Sequence, residues 1–84
     1  MTKKLLQMII EVDKKDSSFI YFTLEANEGL CFYSTLDHRE GDQTRKIDIH
    51  LTESLRNEFL TVFSFLDKHI DINVLEDKDN ILGR

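Results

Sequence analysis

The stretch Lys46-Ile47-Asp48-Ile49-His50-Leu51-Thr52 alternates without interruption. Ile47, Ile49 and Leu51 point to one side of an extended chain while Lys46, Asp48 and His50 point to the other. That is the pattern of a strand with one face on a core and the other toward water or a partner. Directly after it Thr52 is placed to cap a helix, with Glu53 well positioned in the first turn. Leu55, Phe59, Val62, Phe63, Leu66 and Ile70 then recur at helical spacing as a buried stripe. Asp71 to Leu75 predicts a short strand, with Ile72 and Val74 in one phase and Asn73 and Leu75 in the other. The second half of the chain is thus one strand, helix, strand unit.

The first half runs in the same order. Lys4 to Val12 carries Leu6, Met8, Ile10 and Val12 on one face and Leu5, Gln7, Ile9 and Glu11 on the other. Apolar residues on both faces mark a central strand. After the polar loop Asp13 to Asp16, with Asp16 or Ser17 as cap, a helix is expected over 18–28. At 100° per residue its inner face collects Phe19, Phe22, Thr23 and Ala26, widened by Ile20 and Leu24, with Tyr21, Glu25 and Glu28 opposite. Gly29 ends it, and Leu30 to Leu36 reads as a second strand, with Cys31, Tyr33 and Thr35 in the phase opposite Leu30, Phe32 and Leu36. Asp37 to Gln43 contains Gly41 in a charged cluster and suits a hairpin loop of several residues.

The simplest assembly is α+β: a four-stranded antiparallel sheet of order 4-1-3-2 with both helices on one face. Each right-handed crossover leaves a slot for a strand of the other half. Leu5, Gln7, Ile9, Glu11, Lys46, Asp48, His50, Cys31, Tyr33, Asn73 and Leu75 are then expected on the open face. Residues 1–84 read as a single domain, with 77–84 a polar C-terminal tail in which Ile81 and Leu82 are the apolar exceptions.

Composition narrows the setting. A chain of 84 residues buries only roughly 60 to 65% of its unfolded surface, so stability is modest. One cysteine excludes an internal disulfide framework and suits a reducing cytoplasm. Met1 to Ile10 imitates a signal peptide, but Gln7 and Glu11 interrupt the apolar run, and no segment reaches the roughly 20 apolar residues of a membrane span. A net charge of -5 disfavours nucleic acid and anionic lipid as partners.

In element order the chain resembles the ferredoxin-like α/β plaits, among them the small regulatory ACT domains. That resemblance implies a binding module, with an effector site in the loop after the first strand, here Asp13-Lys14-Lys15-Asp16. The stretch Phe22-Thr23-Leu24-Glu25-Ala26-Asn27-Glu28-Gly29-Leu30, followed by Ser34-Thr35-Leu36-Asp37, is also similar to a family of small bacterial domains without an established activity.

Chemistry is sparse by comparison. Asp13, Asp16, Asp37, His38 and Asp42 are the candidate ligand-binding residues, clustered in two charged loops, but their spacing matches no metal site and no metal or cofactor is expected. Asp48 and His50 sit two apart on one strand, too far for ordinary general-base activation, and Cys31 has no CxxC partner. No catalytic residue is assigned, and an enzyme is not expected. Apolar residues at surface phases are the stronger signal: Leu5, Ile9, Tyr33, His50 and Leu75 on the open face, with Leu60 and Phe65 off the helical stripe. They point to a homodimer or another protein partner; a small-molecule or metal-binding regulatory domain is the alternative.

Overall fold

A computed structural model describes residues 4–37 and 39–83. Strand β1 (Leu5–Asp13) leads through a 3-10 turn into helix α1 (Ser17–Ala26), followed by β2 (Phe32–Thr35). Strand β3 (Thr44–Thr52) leads through a second 3-10 turn into α2 (Arg56–His69), and β4 (Ile72–Glu76) follows. The antiparallel sheet has the order β2-β3-β1-β4, which is the 4-1-3-2 order expected for the ferredoxin-like plait.

The two central strands pair along their full length, from Leu5 opposite Thr52 to Asp13 opposite Thr44. Their alternation is in phase. Leu6, Met8, Ile10 and Val12 of β1 and Ile47, Ile49 and Leu51 of β3 are all buried on one face. Phe59, Phe63 and Leu66 of α2 close over that face as the helical spacing requires.

The inner face of α1 differs from the expected one. Ile20 and Leu24 are buried, whereas Phe22 is 72% exposed and Phe19 lies at the surface. Ser17, Ile20 and Leu24 form the buried row, and Phe22, two residues from both Ile20 and Leu24 and so about 200° away around the helix, cannot face inward with them. Buried Ser17 donates its hydroxyl to the Lys14 carbonyl at 2.8 Å, and neither Asp16 nor Thr52 makes a side-chain cap. Each helix instead starts from a 3-10 turn. Gly29, at φ +81°, takes the left-handed turn between α1 and β2.

The C-terminal segment is anchored rather than a loose polar tail. Ile81 is 1% exposed and belongs to the core, with Leu82 packed against it. The carboxylate of Asp77 accepts the N–H groups of Ile81 and Leu82 at 2.8 and 3.1 Å, so one side chain shapes the turn that inserts Ile81. Asp79 accepts the N–H of Gln7 at 3.0 Å, and Arg56 donates to the Asn80 carbonyl at 3.3 Å. Truncating Ile81 to Ala is expected to cost about 2–5 kcal/mol by cavity formation, read as a lower urea midpoint at unchanged slope.

Candidate interaction surfaces

Among the described residues no helix covers the second face of the sheet. The register sets Phe32, His50 and Gln7 in one row, with Ser34, Asp48, Ile9 and Glu76 in the next. A polar strip occupies the middle: Gln7 donates to Asp48 Oδ1 at 2.9 Å, and His50 Nε2 lies 3.9 Å from the same oxygen. The latter separation permits ion pairing but exceeds hydrogen-bond reach. Leu5, Phe32 and Leu75 stand exposed around the strip, Leu75 being the extra residue where the β1–β4 register shifts.

Two residues expected on this face lie on the other. Tyr33 pairs with buried Ile49, and Cys31, in the same phase, packs partly buried against the core. Phe32 takes the open position and is 74% exposed. The phase of so short a strand rests on few residues, and the aromatic run Phe32-Tyr33 fits either register. Tyr33 is held from the helix side: its ring stacks on Tyr21 at 5.2 Å, its hydroxyl donates to Glu25, and Tyr21 bonds Thr35.

On the helical side Phe19, Phe65 and His69 form a surface cluster across α1 and α2. Ring centroids are 6.1 Å apart for Phe19–Phe65 and 4.5 Å for Phe65–His69. His69 is oriented by a 2.8 Å hydrogen bond between Nδ1 and the Phe65 carbonyl. Phe65 is exposed as its phase requires, whereas Leu60 is half-buried against the core and does not belong to a free surface.

The charged loops meet at one end of the sheet, where the Lys14 N–H donates to the Gln43 carbonyl at 2.9 Å. Their carboxylates do not converge. Asp13 lines a shallow cleft of about 340 Å³ with Glu11, Asp67 and Asp71. Asp42 instead accepts the Arg39 N–H at 2.6 Å within its own loop, and Asp37 is exposed. Asp16 ends the 3-10 turn, and His38 lies outside the described residues. Among the described residues no group of three His, Cys, Asp or Glu side chains is arranged to hold a metal ion. Cys31 lies on the opposite side of the sheet from Asp48 and His50, so these three do not form a nucleophile, base and acid.

The fold is similar to that of the solution structure of protein HP0495 from H. pylori, at 19% sequence identity and a TM-score of 0.52, over 90% of this chain and 81% of that one. At that identity the likeness concerns the fold alone. No known family matches the chain by sequence, and no curated protein does. Among the described residues no helix is long and apolar enough to cross a membrane.

Two titrations check these surroundings. Burial pushes the Cys31 thiol up to about 11, so its alkylation by iodoacetamide at pH 8 should be several-fold slower than in the urea-unfolded chain. The hydrogen bond to Glu25, with partial burial, raises Tyr33 to about 12. The neutral phenol is thereby favoured in the folded state, so its stabilisation is complete below the ordinary tyrosine range near 10 and is lost as pH rises through about 12. In Tyr21→Phe, tyrosinate absorbance should rise late, and adding Glu25→Gln should bring it earlier.

Proposed function

We propose that this protein is a non-enzymatic association module that pairs with a second copy of itself. The observation that carries this reading is the placement of its phenylalanines. Of six, only Phe59 and Phe63 are buried, while Phe19, Phe22, Phe32 and Phe65 are exposed. Single exposed apolar residues are ordinary, but a small chain with this share of its largest apolar rings at the surface keeps them for contact. Aromatic rings are also enriched at the centres of protein interfaces, where they lose little conformational entropy on burial.

The polar strip of Gln7, Asp48 and His50 fits the same role. It places hydrogen-bonding groups inside an apolar rim, the composition of an interface. Light scattering coupled to size exclusion should give a mass near twice 9.9 kDa at high protein concentration, falling toward the monomer on dilution. A mass that stays at 9.9 kDa at every concentration overturns the reading.

A further inference from the structure

The two edges of the sheet are built differently. At β4 the pairing is broken by a register shift at Ile9 and Ile10, Asp71 and Glu76 bracket the strand, and Asp79 takes the Gln7 N–H beyond the last pair. These are the means by which natural sheets discourage further pairing. β2 is short, but it lacks the charges and the register shift: Leu30 to Leu36 contains no charge and no proline, and Phe32, Ser34 and Thr35 are exposed.

The direction of the free groups follows from the ladder. Leu36 donates its N–H to the Lys46 carbonyl at 2.8 Å, and the β2–β3 register continued by one residue places these two opposite each other. Hydrogen-bonded pairs alternate in an antiparallel ladder, so Phe32, Ser34 and Leu36 bond inward to β3. Cys31, Tyr33 and Thr35 turn their N–H and C=O groups outward, and among the described residues nothing bonds them.

We propose that this edge pairs antiparallel with the same edge of a second copy, joining two four-stranded sheets into one. The inference rests on the self-association reading and names its seam. With Tyr33 opposite Tyr33 of the second copy, Cys31 faces Thr35 and Thr35 faces Cys31, so every outward group of the segment finds a partner. The pairing is isologous, as a two-fold dimer requires. Phe32 then lies beside Ser34 of the second copy on the open face, which shields one flank of its exposed ring. Charge argues for this occupant: the chain is net acidic, and an uncharged strand is where two copies approach with least repulsion. The contacts of Tyr33 with Glu25 and Tyr21 hold the strand extended beforehand, which lowers the ordering cost of pairing.

Amide hydrogen exchange on the wild-type protein tests this directly. In dilute monomer the Tyr33 and Thr35 amides should exchange fast while Ser34 and Leu36 stay protected. At dimer concentrations Tyr33 and Thr35 should become protected as well. Thr35→Pro removes an outward donor without removing a ladder bond, and should weaken the dimer by about tenfold or more. If Tyr33 and Thr35 exchange fast in a demonstrated dimer, or if Leu5→Glu or Phe65→Ser dissolves the dimer while Thr35→Pro leaves it intact, the seam is elsewhere and self-association stands. A wild-type protein that is monomeric throughout overturns both.

Discussion

The antiparallel pairing of β1 with β3 is the constraint on which the rest of the structure depends. These two strands match residue for residue along their length, and seven buried side chains from them form the floor of the core. A shift of one residue in either strand would turn Leu6, Met8 and Ile10 or Ile47, Ile49 and Leu51 toward solvent, so burial fixes the register. Once it is fixed, each crossover delivers its helix to the same side. The outer strands then have one place each, β4 beside β1 and β2 beside β3. Both helices lie on one face because β1 and β3 are antiparallel and their right-handed crossovers run toward opposite edges, which leaves the other face without a helix among the described residues.

How much of this was legible in the sequence tracks the number of residues that vote on each element. β3 and α2 were readable because seven alternating positions and four helical turns repeat one pattern. β1 was readable as central because both of its faces are apolar. Strand β2 was not readable in phase. Its four residues include two adjacent aromatics, and what decides between them is the stack of Tyr33 on Tyr21, a tertiary contact. The inner face of α1 was not legible for a related reason, since Phe22 and Ile20 are both apolar and only tertiary packing chooses between them.

The interaction surfaces follow the same logic. Leu5, Leu75 and Phe65 can be placed by phase alone, but phase puts Phe32 inward with its strand and Leu60 outward with its helix face, opposite to their observed places. Ile81 was the hardest residue to place. Its burial depends on a turn made by Asp77, and nothing in the periodicity of residues 77–84 announces that turn. A carboxylate bonding the amides four and five residues on is a geometric device, visible only when the backbone is in hand.

The order of strands also bears on how the chain reaches this state. β1, the most apolar strand, has no neighbour in sequence with which to pair: Asp13 must find Thr44 and Val12 must find Ile72. Only β2 and β3 are joined by a short connection, so their hairpin forms with the least loss of chain entropy. Until β3 and β4 arrive on either side, both edges of β1 remain open to any other extended segment. Closing the two crossovers around β1 therefore carries the largest loss of chain entropy in building the sheet.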